Sequence, residues 1–297
     1  MSRMVWDFRD GDLFDIWEPA VHRIPLVLNS PHSGRIYPRC FMENSCLDPM
    51  AIRRSEDHFV DELFHSGVEL GAPMLVANFP RAYVDVNREP YELDPRMFDG
   101  ALPPFANTAS VRVAGGLGTV PRIVAENMEI YRRKLPVDEA LSRVEQIYKP
   151  YHTALRRLIA RTHTAFGRAV LIDCHSMPGN IRLAGSGIRP DFIIGDRYGT
   201  SASSELSRLA LRLLEDMGFA AVRNKPYAGG FITEHYGRPA RGLHALQIEI
   251  NRSLYIDETT LKKRVEFPRI VSAIQHFLEN FAAEITTRED SIAFAAE

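Results

Sequence analysis

The sequence has 297 residues, of which 45% are apolar and 25% are charged, an ordinary balance for a globular protein with a sizeable core. The formal net charge of −2 provides no overall field that would favour a nucleic-acid partner or a membrane surface. Three scattered cysteines, Cys40, Cys46 and Cys174, argue against a disulfide framework and favour a reducing compartment. We therefore expect a cytoplasmic protein whose partners must be inferred from local sites.

The sequence contains no repeat, linker or recognisable targeting segment. Residues Met1 to Asp10 carry acidic side chains where a signal peptide would need a basic start and an apolar run. The longest apolar stretches, 24–28 and 169–172, are far too short to span a bilayer. We expect one domain over 1–297, with an irregular, proline-rich insertion around 87–135 that shapes a pocket or lid.

Short apolar runs alternate with longer helical patterns along the chain, which is typical of an α/β sheet protein. Several of the runs are apolar throughout, as expected for strands that are covered on both faces. The predicted strands are Ile24–Asn29, Met74–Asn78, Ala82–Val86, Ala169–Asp173, Phe192–Gly195, Ala220–Val222 and Ala245–Ile250.

Helical periodicity is clear in three segments between these runs. Apolar residues at three- and four-residue spacing predict a helix that begins near Ser201 and ends at Gly218. A long helix is predicted over 141–162, with a kink at Pro150 because proline cannot donate a helical hydrogen bond. A C-terminal helix is predicted over 268–285.

Two histidines directly follow predicted strands. His32 lies in Pro31-His32-Ser33-Gly34 after the first strand, and His175 follows Asp173 after a later strand. Ligands of open α/β sheets bind outside the carboxyl ends of strands, and a metal requires neutral nitrogen ligands that converge from rigid elements. The two histidines therefore predict a metal site, although each histidine alone is equally consistent with a turn residue bonded to nearby backbone.

A catalytic zinc ion takes three protein ligands and leaves one position for water, so a third ligand is required. The best candidates are Glu56, Asp57 and His58, which spacing alone does not separate. Carboxylates at the start of a helix are also common for dipole reasons alone. Asp173 is a candidate for orienting an imidazole, or for capping a turn.

Glu249 lies within a strand that alternates between apolar and polar residues. A carboxylate in such a position is costly unless it is paired or has a function. Beside a metal-activated water, Glu249 would be a suitable general base, its pKa raised by burial. The alternative is a structural pair with Arg252.

Cationic groups that suit an acidic substrate are also present. Asn87 and Arg88 end the segment that starts at Arg81, and arginine is suited to bidentate binding of a carboxylate or to stabilising an oxyanion. Lys225 and Tyr227 precede a glycine pair, as in a loop that closes over a substrate. Surface positions are the ordinary alternative for these residues.

Taken together, these segments closely resemble the N-formylglutamate amidohydrolase family. They occur in order over about residues 24–257, most of the chain. The matching segments are PHSG at 31–34, DHFVDELF at 57–64, RAYVDVNR at 81–88, DCHSMP at 173–178, DFIIGDRYGTS at 191–201, NKPYAGGFITEHYG at 224–237 and HALQIEINRSLY at 244–255.

The resemblance implies a fold similar to that of zinc carboxypeptidases, with three α/β/α layers around a mostly parallel or mixed sheet. It also implies a ligand set and a base: one zinc ion on His32, Asp57 and His175, with Glu249 beside it. Asn87 and Arg88 resemble the superfamily's Asp-x-Asn-Arg motif and would contact a substrate carboxylate. The chain departs from the peptidases at Arg35, where they have a glutamate ligand, which leaves Glu56 as an alternative to Asp57.

The activity implied by the resemblance is hydrolysis of N-formyl-L-glutamate to L-glutamate and formate, the last step of one route of histidine degradation. Two substrate carboxylates require at least two cations, and the candidates are Arg88, Arg81, Arg197 and Lys225. Three alternatives remain. One is an amidase for another N-acyl acidic amino acid, another is a non-catalytic protein that binds an acidic metabolite, and the third is a thiol hydrolase that uses Cys174 beside His175.

Overall fold

The computed structural model describes residues 13–294, with side chains through residue 286. The segment from Met1 to Asp10, for which a signal peptide was argued against, lies outside the described residues. Within the described part of the chain, no helix has the length and apolar character needed to cross a bilayer.

The chain forms thirteen strands within the described residues, and seven of them make one sheet in the order β1-β3-β2-β8-β11-β9-β10. Strands β2, β8 and β11 pair in parallel, whereas β11 and β9 pair antiparallel, so the sheet is mixed as predicted. The strands are β1 (Phe14–Trp17), β2 (Leu26–Ser30), β3 (Met74–Ala77), β4 (Phe98–Asp99), β5 (Ile123–Ala125), β6 (Met128–Glu129), β7 (Leu135–Pro136), β8 (Ala169–Met177), β9 (Phe192–Gly195), β10 (Ala221–Arg223), β11 (Leu243–Asn251), β12 (Ile256–Asp257) and β13 (Lys262–Lys263).

Nine α-helices accompany these strands in the described residues. They are α1 (Arg39–Asn44), α2 (Val60–Leu63), α3 (Ser66–Glu69), α4 (Val111–Ala114), α5 (Val137–Arg143), α6 (Lys149–Phe166), α7 (Ser204–Asp216), α8 (Phe231–Tyr236) and α9 (Phe267–Phe294). The predicted helix near Ser201 is α7, which begins after the cap Ser203, and the predicted C-terminal helix is α9.

The chain divides into two compact units. Within the described residues, the first unit contains 13–15, 31–56 and 76–155. Its residues between 87 and 135 form only short elements, among them α4 and the two-stranded pairs β4–β7 and β5–β6. A small apolar cluster gathers them: Leu93, Met97, Phe98, Val120, Leu135 and Ala140. The expectation of a single domain stays a prediction.

The second unit contains 16–30, 57–75 and 156–294, and it carries the central strands β2, β8 and β11. On one face of these strands α3 packs closely: a Cβ atom at Gly67 would lie 2.3 Å from Leu28 Cδ1 and 3.3 Å from Leu278 Cδ1 of α9. On the other face Gly230, which precedes α8, donates its N–H to Gln247 Oε1 at 2.9 Å. Helices therefore cover both faces, as predicted for three layers.

The predicted strand Ala82–Val86 is wrong. The structure has consecutive turns there, in which the N–H groups of Tyr83 and Val84 both donate to the carbonyl of Pro80. Residues 82–87 are nevertheless buried, and a buried turn has the same apolar composition as a short strand. The segment carries several candidate site residues, so its conformation bears directly on function.

The kink predicted at Pro150 takes the form of a π-helical turn. Residues Val144–Tyr148 adopt this turn between α5 and α6, and the N–H of Lys149 donates to the carbonyl of Val144, five residues earlier. Proline cannot donate to a carbonyl in the preceding turn, and its ring crowds that carbonyl in a regular α-helix. An extra residue in the turn just before Pro150 relieves this conflict without ending the helix.

Candidate metal centre

The carboxyl end of β8 presents two polar side chains on one face of the sheet. Asp173 and His175 are two residues apart in a strand whose nine residues are all buried, so their side chains project to the same side. Asp173 Oδ2 lies 2.9 Å from His175 Nε2, and Asp173 Oδ1 accepts a hydrogen bond of 2.7 Å from Asn29 of the neighbouring strand. The carboxylate thereby fixes the orientation of the imidazole.

Asp57 occupies the other side of the His175 ring. Its Oδ2 atom lies 2.9 Å from His175 Nδ1. Its Oδ1 atom accepts hydrogen bonds from Arg252 Nη2 at 2.8 Å and from Ser176 Oγ at 3.1 Å. The aspartate is almost fully buried, and such a carboxylate is tolerated only when its oxygens are bonded.

The two carboxylates control the charge state of His175. Burial alone would lower the pKa of this imidazole, but Asp173 and Asp57 together raise it well above its ordinary value. Without a metal ion, the two flanking carboxylates therefore favour the protonated form of the ring. A divalent cation that replaces the proton on Nδ1 would retain the attraction of both carboxylates.

His32 is held in the first unit by a matching arrangement. Its Nε2 atom donates to Asp85 Oδ1 at 2.7 Å, and both side chains are almost completely buried. Asp85 also accepts a bond of 2.8 Å from Arg81, and Arg88 lies 3.5 Å from the same carboxylate. Burial alone would raise the pKa of Asp85, but Arg88, His32 and Arg81 hold it well below its ordinary value. Asp85 is therefore a stable anion behind the imidazole.

One ligand atom from each of His32, Asp57 and His175 lies within 4.8 Å of the others, and all three residues are buried. Bonds of zinc to nitrogen and oxygen are about 2.0–2.2 Å long, so atoms at this separation are compatible with a shared ion. Each histidine also has its Nε2 atom bonded to a carboxylate, which is the usual second partner of a metal-binding imidazole. The donor set of two imidazoles and one carboxylate fits a divalent metal of the zinc type.

Glu249 stands in β11 directly opposite His175 of β8, in parallel register. The alternation of β11 puts Glu249 and Gln247 on the polar face, with Ile248 on the apolar face, as the sequence pattern predicted. Gln247 Nε2 donates to Glu249 Oε1 at 2.8 Å. Glu249 is only 8% exposed, and Arg252, the partner suggested for it, donates to Asp57.

The other residues of the 56–58 segment lie in different surroundings. Glu56 accepts hydrogen bonds from Tyr37 Oη at 2.6 Å and from Arg53 Nε at 2.9 Å, so its carboxylate is paired with a cation of its own unit. His58 is buried beside the ring of Phe59. Of the three candidates for the third ligand, Asp57 is the one grouped with the two histidines.

The candidate substrate residues form two groups. Arg81, Asn87 and Arg88 surround Asp85, whose Oδ1 atom also accepts the backbone N–H of Asn87 at 2.9 Å. The second group lies in the second unit, where the N–H of Arg197 donates to the carbonyl of Ala228 at 2.7 Å. Its members Lys225 and Tyr227 are exposed and half-buried, respectively.

The loop of this second group lies against the polar face of the sheet. A Cβ atom at Gly195 of β9 would be only 2.8 Å from the carbonyl carbon of Ala228, so glycine is needed for this close approach. Gly230 then bonds to Gln247, which in turn bonds to Glu249. The guanidinium of Arg197 donates to Glu234 at 2.6 Å.

Cys174 faces away from this site. It alternates with His175 along β8 and is fully buried, and its burial raises the pKa of the thiol well above the ordinary value. A protonated, enclosed thiol is a poor nucleophile. The geometry therefore disfavours the thiol-hydrolase alternative.

Sequence reasoning assigned no role to Asp85 and did not identify Arg252 as a partner of Asp57. A signal for Asp85 was present, since the aspartate stands four residues after Arg81 and three before Arg88 in a buried segment. No such signal existed for Arg252, because the Asp57 that it binds is 195 residues away in sequence.

Comparison with known proteins identifies the family of the chain. The model of the N-formylglutamate amidohydrolase family matches residues 24–256. The chain belongs to this family. The match includes both histidines, Asp57, Asp85 and Glu249, so all of the site described above lies within the family's shared segment.

Individual relatives extend over most of the chain. An N-formylglutamate deformylase from Pseudomonas putida is 31% identical over 240 residues, which cover 80% of this chain and 84% of that protein. The crystal structure of an N-formylglutamate amidohydrolase from Ralstonia eutropha JMP134 matches with a TM-score of 0.87 and 33% identity, covering 93% of this chain and 99% of the other. A gene product of Agrobacterium tumefaciens, 20% identical with a TM-score of 0.60, covers 93% of this chain and 97% of its own and shares the fold.

Proposed function

We propose that this chain hydrolyses N-formyl-L-glutamate to L-glutamate and formate. In this proposal His32, Asp57 and His175 bind one divalent ion, and the chemistry of these donors favours zinc. The observation that carries the proposal is the grouping of these three ligand atoms within 4.8 Å, on the side of the sheet where Glu249 stands opposite His175. Membership of the family and its deformylase relatives support the substrate.

The chain's own residues supply the proton transfers. When bound, the divalent ion would supply Lewis-acid polarisation of the formyl carbonyl and a lower pKa for the attacking water. Glu249 takes a proton from that water as the new carbon–oxygen bond forms, and then delivers it to the nitrogen as the carbon–nitrogen bond breaks. Gln247 donates to Glu249 and so keeps its carboxylate oriented. The products are formate and the amine of glutamate.

The two carboxylates of the substrate are assigned to the two cationic groups. Arg88 is the leading candidate, because its side chain is only 12% exposed and Asn87 adjoins it. Burial lowers the pKa of Arg88 to about 10, so the guanidinium still carries its charge at neutral pH. Arg81 supports the same group, whereas Arg197, Lys225 and Tyr227 are proposed to bind the second carboxylate.

The proposed setting of the reaction comes from the resemblance to the family. A cell that degrades histidine through N-formylglutamate needs this hydrolysis as the final step, and we assign the chain to that step. A cytoplasmic location fits the reduced cysteines, two of which, Cys40 and Cys46, are exposed. The partner is a small acidic N-acyl amino acid, and the proposal involves neither nucleic acid nor membrane.

The decisive experiment is metal analysis combined with a substrate screen. Purified protein is expected to contain about one zinc ion per chain, to lose activity on dialysis against a chelator, and to regain it with added zinc. N-formyl, N-formimino, N-acetyl and N-succinyl derivatives of glutamate and aspartate would then be compared by kcat/KM. A preference for an acyl group other than formyl would identify a different deacylase with the same machinery.

A comparison of wild type with Glu249→Gln separates catalysis from mere binding. The proposal expects both proteins to bind N-formylglutamate, measured by calorimetry, and only the wild type to release formate. Binding by both without hydrolysis by either would favour the alternative of a protein that holds an acidic metabolite.

A further inference from the structure

Three buried side chains from the continuous helix formed by α5, the π turn and α6 bind the backbone of the segment that carries Asp85 and Arg88. Arg143 Nη1 donates to the carbonyl of Tyr83 at 3.1 Å, His152 Nε2 donates to the carbonyl of Val86 at 2.9 Å, and Tyr148 Oη donates to the carbonyl of Arg88 at 2.7 Å. The three donors are 1%, 7% and 4% exposed, respectively. All these residues belong to the first unit.

The segment 83–88 is not part of a β-strand, so no series of strand-to-strand hydrogen bonds fixes its path. It forms turns, and its backbone groups are bonded one at a time, as when the N–H of Asp85 donates to the carbonyl of Thr119 at 2.8 Å. A buried carbonyl without a partner is costly, so donors from outside the segment determine its path. Its path in turn determines where the side chains of Asp85 and Arg88 point.

The π turn is what aligns the donors. Arg143 and Tyr148 are five residues apart, and in a regular α-helix residues at that spacing point about 140° apart around the axis. A π turn joins residues five apart, so the turn over Val144–Tyr148 returns Tyr148 to the side of Arg143. His152 follows one α-helical turn later, and its ring lies tilted against that of Tyr148, with ring centroids 4.3 Å apart.

We propose that Tyr148 and His152, aligned with Arg143 by the π turn, are positioning residues that set the location of Arg88 and thereby the affinity for the substrate. They do not touch the reacting atoms; they act through the carbonyls of Arg88 and Val86. The inference rests on the proposed function in one respect, the binding of a substrate carboxylate by Arg88. Such π turns within helices often occur near functional sites.

Tyr148→Phe is the sharpest test, because it removes a single hydroxyl. We expect KM for N-formylglutamate to rise about fivefold, the net effect of one buried hydrogen bond, with kcat within about twofold. The matched control is Tyr91→Phe, which removes a tyrosine hydroxyl bonded at 2.8 Å to Glu145 of the same π turn but not to the 83–88 segment. Its KM should equal that of the wild type.

Substitutions at His152 provide a rescue experiment. Gln carries an amide that can donate to the carbonyl of Val86, whereas Leu carries no donor. We expect His152→Gln to keep KM within about twofold of the wild type and His152→Leu to raise it about fivefold. Equal KM values for the two variants would contradict a role for the hydrogen bond.

Amide hydrogen exchange gives a readout that does not depend on turnover. In Tyr148→Phe, the peptide over 83–88 should exchange faster than in the wild type and in Tyr91→Phe. Exchange at the wild-type rate overturns the inference. Faster exchange without a change in KM also overturns it, since the side chains are then structural supports only. A wild type that does not hydrolyse N-formylglutamate refutes the proposed function instead, and the exchange comparison still decides whether Tyr148 holds the segment.

Discussion

Glu249 stands directly opposite His175 in the parallel pairing of β11 with β8, and both side chains project from the polar face of the sheet. Neighbouring strands lie about 4.8 Å apart, so a carboxylate and an imidazole in these positions flank the same point above the sheet. Two rigid, buried strands thus fix the separation of the proposed base from a proposed metal ligand. Catalysis that depends on such a separation benefits from a site built on strands rather than loops.

The first prediction follows from this pairing. Glu249→Gln keeps the shape of the side chain and removes its basicity, so kcat should fall about 100- to 10,000-fold while zinc content stays unchanged. Formate release and metal analysis would measure the two effects. Glu69→Gln, the same substitution at an exposed position of the second unit, serves as control. Turnover within tenfold of the wild type would exclude Glu249 as the base.

The second prediction concerns Asp173, which bonds to the far side of the His175 ring. Asp173→Asn should weaken zinc binding about 10- to 100-fold, because outer partners of a ligating histidine fix its tautomer and raise its basicity. Competition with a chromogenic chelator would measure the affinity. Asp191→Asn, at an aspartate whose carboxylate accepts the N–H of Ala220, is the matched control. An unchanged affinity in Asp173→Asn would remove His175 from the ligand set.

The third prediction concerns Cys174. The thiol is buried on the apolar face, and burial raises its pKa well above the ordinary value, so Cys174→Ala should retain kcat within about twofold. Iodoacetamide should modify the exposed Cys40 and Cys46 without abolishing activity, whereas a zinc chelator should abolish it. Inactivation by the alkylating agent, absent in Cys174→Ala, would revive the thiol mechanism.

The fourth prediction concerns Arg88 and the binding of substrate. Arg88→Ala should raise KM for N-formylglutamate about 10- to 100-fold with a smaller effect on kcat, since a carboxylate that takes no part in bond making or breaking is bound alike in ground and transition states. Steady-state kinetics would measure both constants. Arg133→Ala, at an exposed arginine, is the control. An unchanged KM would assign the carboxylate to other cations.

The fifth prediction concerns Asp196, a fully buried carboxylate that accepts bonds from Asn224, Arg223 and Ser207. Burial alone would raise its pKa, but these donors lower it below the ordinary 3.8. Because the folded-state pKa is the lower one, the resulting stability is present above pH 3.8 and is lost as the pH falls through the folded value.

Asp196→Asn should therefore lower the free energy of unfolding in urea by about 1.5–3 kcal/mol at pH 7, the contribution of hydrogen bonds to a charged group. The difference between variant and wild type should shrink as the pH falls below 3.8 towards the lower pKa of the folded state. A difference that is constant with pH would mean that the charge of Asp196 contributes nothing.

The sequence predicted those features that depend on local pattern. Apolar runs marked β2, β8 and β9; His32 follows the end of β2 by two residues, and His175 lies in the carboxyl-terminal part of β8. Strict alternation assigned Glu249 to the polar face of β11. These predictions succeeded because the pattern of apolar residues along a strand, alternating or continuous, directly reflects whether one or both of its faces are buried.

Features that depend on contacts across the fold were not predictable in this way. The segment 82–86 is buried like a strand but turns instead, because its carbonyls are held by a helix about sixty residues later, as with Tyr148 and Arg88. Asp57 forms an ion pair with Arg252, which is 195 residues away in the sequence. Burial constrains composition, whereas the choice of partner depends on tertiary structure.

The bonding of Asp57 has a consequence for the choice of ion. Its Oδ1 atom is engaged by Arg252 and Ser176, which leaves Oδ2 to meet a cation with a single oxygen. One oxygen and two imidazoles make a sparse, nitrogen-rich shell, whereas calcium takes six to eight oxygen donors. In the proposed site, Arg252 would thus act from outside the ligand shell: by engaging one oxygen of Asp57, it would favour a zinc-type ion over calcium.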